Sequence, residues 1–150
     1  MDQVSSFTVS LVGWNQLGEA LSQIRFTVFV REQGVPPEFE LDALDADAAR
    51  CVHAAAIDEG GVVIATARLL LDPPIARIGR MAVLKAWRGR GVGAALLEAL
   101  CVEAKRRGFD EVVLHSQTHA TPFYFKHGFL SHGSEFAEAA IPHLEMRRKL

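Results

Sequence analysis

Cysteine is scarce in this sequence: Cys51 and Cys101 are the only two among 150 residues, too few and too far apart for a disulfide framework or a zinc ribbon. Long apolar runs are missing as well. The longest, around Val62–Ala67 and Leu69–Leu71, are broken by charge or proline far short of the ~20 residues that span a bilayer. Met1-Asp2-Gln3 has neither the basic start nor the apolar run of a secretory signal, so a reducing, cytoplasmic setting and no membrane partner are expected. The formal net charge of -2 gives no global electrostatic case for nucleic acid. What is present is ordinary globular chemistry: 49% hydrophobic and 23% charged residues rule out wholesale disorder. A chain of this size buries roughly 70% of its unfolded surface, and one domain over residues 1–150 is expected.

Charge of each sign is segregated. Between Arg31 and Arg50 lie six acids, Glu32, Glu38, Glu40, Asp42, Asp45 and Asp47, against two arginines. Between Arg77 and Arg107 the balance reverses, with eight bases against Glu98 and Glu103. One stretch suits a cation, the other an anion.

Local periodicity orders the elements. Phe7–Val12 alternates as a half-buried strand. Apolar positions Leu17, Leu21, Ile24 and Val28 recur at helical spacing, with Asn15 as a candidate cap and an end near Gly34, before Pro36-Pro37. The acidic stretch to Asp47 reads as a loop. Cys51–Ile57 and Val62–Leu71 flank the turn residues Asp58–Gly61 and read as an antiparallel hairpin. Ile75–Val83 forms a fourth strand, and Gly79 is placed either to ease its bending or as a small residue in a bulge. A helix runs from about Gly91 to Arg107 with Gly108 as its stop. Val112–Leu114, a short helix over Ala120–His127, and strands after Phe129 and around His143–Arg148 complete a mixed order: a meander, a β-α-β unit, then α-β-β.

Arg88-Gly89-Arg90-Gly91-Val92-Gly93 follows a strand and opens that helix. Glycines let backbone pass close to a ligand, the first helical turn offers unpaired N–H groups, and Arg88 and Arg90 add charge-assisted donors for a diphosphate. Gly89, Gly91 and Ala94 also fit a degenerate dinucleotide pattern. That fold wants its first glycine at the strand end and an acid closing the next strand, whereas Val83 lies six residues before Gly89 and Asp110-Glu111 precede the following strand. No Gly-Lys-Ser/Thr follows, which excludes a P-loop.

These residues resemble the GNAT superfamily of N-acyltransferases: Arg88, Gly91 and Gly93 match its Arg/Gln-x-x-Gly-x-Gly/Ala signature, and Phe123-Tyr124-Phe125-Lys126-His127-Gly128-Phe129 is similar to its F-Y-x-x-x-G-F segment. Val28–Gln33 with Asp42, Asp45 and His53, together with Ile141-Pro142-His143, more narrowly resemble the ElaA-like subgroup. That subgroup often carries an acid before its glycine near the final Ile-Pro-His, where this chain has Glu138-Ala139-Ala140. The resemblance implies an α/β (α+β) fold: a mixed, mostly antiparallel twisted sheet of six to seven strands flanked by helices, with a central β-α-β unit for acyl-CoA. It implies acetyl-CoA in a gap between the fourth and fifth strands, its pantetheine on the backbone of Met81, Ala82 and Val83 and its diphosphate on Arg88, Gly89, Arg90, Gly91, Val92 and Gly93. The implied reaction is acetyl transfer to a small-molecule or peptide amine, with CoA as product and Tyr124 touching the cofactor as general acid. The alternative is a non-catalytic CoA-binding or regulatory module. A homodimer through a sheet edge is a further expectation.

Such chemistry needs a neutral amine, a stabilised oxyanion and a proton for the thiolate. An amine of pKa about 10.4 is only ~0.04% neutral at pH 7, a cost of nearly ~5 kcal/mol. Glu32 is the candidate base, with Asp45, His53, His115 and His143 as competitors; the resemblance implies a water-relay duty for His115. Glu32, Gln33, Asp42, Asp45, His53 and His143 are the candidate acceptor contacts, and the acidic loop suggests a cationic acceptor. Phe26, Phe29 and Phe39 line a pocket or pack the core. No metal site is expected, because His115/His119 and His127/His132 lack a ligand set. Ser116 has no nucleophile elbow around it.

Overall fold

A computed structural model describes residues 6–40 and 42–150. The chain forms β1 (Phe7–Val12), α1 (Trp14–Arg25), β2 (Cys51–Asp58), β3 (Val63–Asp72), β4 (Ile75–Val83), α2 (Val92–Arg106), β5 (Glu111–Gln117), α3 (Thr121–Lys126), β6 (Leu130–Glu138) and β7 (Ile141–Lys149). The seven strands make one sheet in the order β1-β2-β3-β4-β5-β7-β6. Every neighbouring pair is antiparallel except β4 and β5, which are parallel across the α2 crossover. The mixed sheet and its central β-α-β unit are as the sequence implied.

Strand alternation divides the sheet into two faces. Val52, Ala54, Ala67, Leu69, Ala76, Ile78, Val112, Leu114 and Met146 face one way and enclose Leu96, Leu97, Leu100, Cys101 and Ala104 of α2 in the main core. Each fully buried leucine there is worth about 1.5–3 kcal/mol. The opposite face is covered by α1 over β3 and the end of β4, where Ile24 and, just past the helix end, Val28 pack on Ala82, and is open beyond it, between β4 and β5. That open face carries the site.

Four local readings are corrected. Asn15 is inside α1, whose N-cap is Gly13 in extended conformation with no side-chain cap. The first helix does not run uniformly to Gly34: α1 gives way at Phe26–Glu32 to a wider π-helical turn. Gly79 is not the bent residue of β4. Two residues of β4, Arg80 and Met81, oppose Ala67 alone between the pairs Arg68↔Gly79 and Thr66↔Ala82, a β-bulge, and Arg80 carries the left-handed φ of 53°. β5 is also longer than the predicted Val112–Leu114.

Candidate active site

The bulge has a direct consequence for β5. Parallel pairing holds for Ala76↔Val112, Arg77↔Val113 and Ile78↔Leu114 and then stops, although β4 runs on to Val83 and β5 to Gln117. The two strands splay, leaving backbone from Gly79 onward without a β5 partner. A cavity of about 720 Å³ opens along this splay; Met81, His115, Gln117 and Tyr124 are on its wall. At the neighbouring helix end, Gly89 and Gly91 have φ of 75° and 82°, a region costing L side chains roughly 1–2 kcal/mol. Gly91 caps α2, and the first i to i−4 bond is donated by Ala95 N–H to the Gly91 carbonyl at 3.1 Å. The N–H groups of Val92, Gly93 and Ala94 therefore have no intrahelical acceptor and carry the positive end of the helix dipole.

Tyr124 ties the cavity to this cradle. Its hydroxyl is 3.9 Å from Met81 Sδ, and that sulfur lies 3.7 Å from the point a Cβ on Gly93 would occupy. Burial pushes the phenol up to about 12. The ring is held edge-on between Phe123 and Phe129 at centroid distances of 5.0 and 6.0 Å, so the hydroxyl is aimed by packing.

At the far side of the splay, β5, β6 and β7 bring a second group together. His115 Nδ1 is 3.0 Å from Glu138 Oε1, and Glu138 Oε2 is 3.5 Å from His143 Nε2. His143 Nδ1 donates to the Ile141 carbonyl at 2.7 Å, which leaves Nε2 facing Glu138. His115 and Gln117 pair across the register with Glu145 and His143, so period-two alternation puts all four on one face. Glu138 and Gln117 were not singled out from the sequence; the i, i+2 spacing of polar residues in these strands was the available signal.

The acidic stretch is a different object from the cation-attracting loop the sequence suggested. Arg25, 1% exposed, donates through Nε to Glu40 and through Nη1 to Asp45 at 2.8 Å. Arg68 donates to Asp42 at 2.8 and 2.9 Å and to Asp45 at 2.9 Å, and Arg80 Nη2 is 3.7 Å from Asp42. Hydrogen bonds from Arg68 hold Asp42 below the usual carboxylate range; Asp45 is likewise lowered, the arginines outweighing its burial. Asp45 and His53 are withdrawn from the candidate acceptor contacts: both are buried, His53 under the Trp14 ring at 4.8 Å with Nε2 2.9 Å from the Asp45 carbonyl. Burial depresses the His53 imidazole. Asp45, Cys51 and His53 do bring ligand-type atoms within 4.8 Å of one another, yet two guanidinium groups already occupy that carboxylate, and burial lifts the Cys51 thiol to about 11, which opposes a cation there.

Of the other sequence candidates, Gln33, Asp42 and His143 line the cavity with Phe29. Gln33 accepts from Gln117 Nε2 at 2.8 Å, bridging the π-helical turn to β5. Glu32 is paired with Arg88 Nη2 at 2.6 Å, and Arg88 Nε donates to the Val83 carbonyl at 3.0 Å. Arg90 stacks on Trp87 at 5.1 Å. Ala82 is buried and Val83 half-buried at the cradle end of β4. Phe26 is 41% exposed; the Phe39 side chain and residues 1–5 lie outside the described residues. No helix among the described residues is long and apolar enough to cross a membrane.

Residues 27–150 match the acetyltransferase (GNAT) domain family. The chain belongs to the GNAT acetyltransferase family. A relative, the uncharacterised N-acetyltransferase YjcF of Bacillus subtilis, is 36% identical over 126 residues, 83% of this chain and 87% of its own. An acyl-CoA N-acyltransferase structure from Pseudomonas aeruginosa is 34% identical with a TM-score of 0.81, covering 97% of this chain and 99% of that one. Escherichia coli ElaA is 29% identical with a TM-score of 0.84, covering 94% and 99%. This GNAT chain is accordingly an acyltransferase enzyme, and acyl-CoA-dependent acetyl transfer is its general chemistry.

Proposed function

We propose that the protein transfers the acetyl group of acetyl-CoA directly to the nitrogen of a primary amine. The observation that carries this reading is the splay between β4 and β5, with the Tyr124 hydroxyl on one wall and the unpaired N–H groups of α2 at its end. Val92, Gly93 and Ala94 N–H would hold the diphosphate, with Arg90 adjacent; Arg88 would exchange its Glu32 partner for it. The backbone of Met81–Val83, which has no β5 partner, would pair with the pantetheine amides, the Val83 carbonyl exchanging its Arg88 donor for them. The thioester supplies the activated acyl group. The amine nitrogen forms the new C–N bond through a tetrahedral intermediate, the C–S bond breaks, and Tyr124 gives its proton to the departing sulfur.

His115 backed by Glu138 receives the amine proton in this reading. Glu32, the other candidate base, is not on the cavity wall, where His115 is. The acidic loop does not steer a cation, because Glu40, Asp42 and Asp45 are matched by Arg25, Arg68 and Arg80. Both cysteines are free and buried, which suits a reducing compartment such as the cytoplasm. The test is thiol release from acetyl-CoA over a panel of primary amines, with the product's mass checked for one added acetyl group. Release that depends on the amine supports the reading; hydrolysis of acetyl-CoA at one rate whatever the amine would refute it.

A further inference from the structure

The cavity is electrically asymmetric. On its β3–β4 side stand Arg25, Arg68, Arg77 and Arg80 against Glu40, Asp42 and Asp45, four cations to three carboxylates. Arg77 is the surplus. Its exposed side chain lines the cavity and makes no hydrogen bond or ion pair to any described residue. A second donor is also left over: Arg68, only 5% exposed and on the same wall, has its Nε–H buried without an acceptor among the described residues. A buried guanidinium N–H without an acceptor is costly, and an anion in the cavity would relieve it. The β6–β7 side has the opposite sign, with Glu138 between His115 and His143.

The register places the two sides in reach of one small molecule. Arg77 pairs with Val113, two residues before His115. A strand spacing of ~4.8 Å and a rise of ~3.3 Å per residue put their Cα atoms roughly 8 Å apart on one face. Leu70 and Gly79 supply the floor between Arg68 and Arg77. An acceptor filling this space would offer an amine to the splay and an anion to Arg77.

We propose that the acceptor is an amino acid, bound as a zwitterion, with its carboxylate on Arg77 and the Arg68 wall and its amino group between Tyr124 and the His115–Glu138 pair. This specifies the acceptor class of the acetyl-transfer reading and rests on it. The ammonium gives one proton to His115–Glu138, the freed lone pair forms the C–N bond, the C–S bond breaks as Tyr124 gives its proton to the CoA sulfur, and the second nitrogen proton passes to the Tyr124 oxygen. The product is an N-acetyl amino acid, which has lost the cation and kept the anion, so the contact with Glu138 weakens when the reaction is complete.

The experiment compares proteinogenic L-amino acids with their amides and their decarboxylated amines. Calorimetry with CoA comes first; a protein that does not bind CoA refutes the acetyl-transfer reading itself. The same probes are then titrated into CoA-saturated protein and assayed for thiol release with acetyl-CoA. At least one amino acid is expected to exceed its own amide by roughly tenfold or more in kcat/KM, the worth of a charge-assisted contact. In Arg77→Gln that ratio should fall toward one, mainly through KM, and Arg77→Lys should restore part of it. CoA binding with amides or decarboxylated amines used as well as the acids overturns the amino-acid inference alone. So does an advantage that survives in Arg77→Gln, or failure of every amino acid to bind the CoA-saturated protein.

Discussion

Replacing Tyr124 with phenylalanine removes one hydroxyl while keeping the ring that Phe123 and Phe129 hold in place. The phenol sits at about 12 because it is buried, so it keeps its proton throughout the physiological range. Against a solvated thiol near ~8.5, transfer from such a phenol would be uphill by about 4.8 kcal/mol. The same burial acts on sulfur, however: the two buried cysteine thiols of this chain are pushed to about 11. A CoA thiol desolvated to the same degree would leave a gap near one pKa unit, about 1.4 kcal/mol, well within the reach of a general acid. Loss of that acid typically costs 10²–10⁴ in rate. Tyr124→Phe is therefore expected to lower kcat at least ~100-fold in a thiol-release assay, with the calorimetric affinity for CoA little changed. Because Tyr124 is the chain's sole tyrosine, absorbance titration reports it alone, and its midpoint should fall near 12 in the native protein and about 10 once unfolded. A Tyr124→Phe enzyme that keeps most of its kcat, or a native midpoint near the unfolded one, would refute the reasoning.

Three further outcomes concern the scaffold. Asp45→Asn strips the shared carboxylate from Arg25 and Arg68 in a buried setting and should cost about 3–5 kcal/mol in denaturant unfolding; a loss below ~1 kcal/mol, the range of an exposed pair, would contradict it. Ala139 and Ala140 turn the β6–β7 hairpin at φ of 50° and 61°, so Ala140→Gly should raise stability by up to ~1 kcal/mol, read as a higher Tm. Glu103 is held at about 2 by Arg106 and Arg107; its ionised form stabilises the fold above pH ~4.5, and that contribution is lost as pH falls through the folded value. Glu103→Gln should be less stable at neutral pH and show a shallower acid loss, both followed by urea midpoints against pH.

The cradle was legible because it is a contiguous motif whose chemistry is local, glycines at left-handed positions and a helix start; Tyr124 was singled out only through the resemblance of its aromatic segment to the family's. The order of strands and helices followed from their periodicities, and the single mixed sheet from the resemblance to the GNAT superfamily. The acidic loop was misread for the converse reason. Its partners Arg25, Arg68 and Arg80 lie up to 40 residues away, and a charge run in sequence does not disclose which charges folding will cancel. Arg80 in the bulge and the alanine pair in the last hairpin occupy backbone regions that glycine or asparagine normally fill, so turn chemistry pointed elsewhere. The His115–Glu138–His143 group arises from register among three strands, which no local window contains.

The central claim is that the splayed strands and the α2 N-terminus form an acyl-CoA site, and one calorimetric titration addresses it without knowledge of the acceptor. The protein is titrated with acetyl-CoA and with NAD, and the acetyl-CoA titration is repeated on Arg88→Ala. The account predicts saturable binding of acetyl-CoA, weakened in the variant, and no binding of NAD. Binding of NAD with none of acetyl-CoA would contradict it.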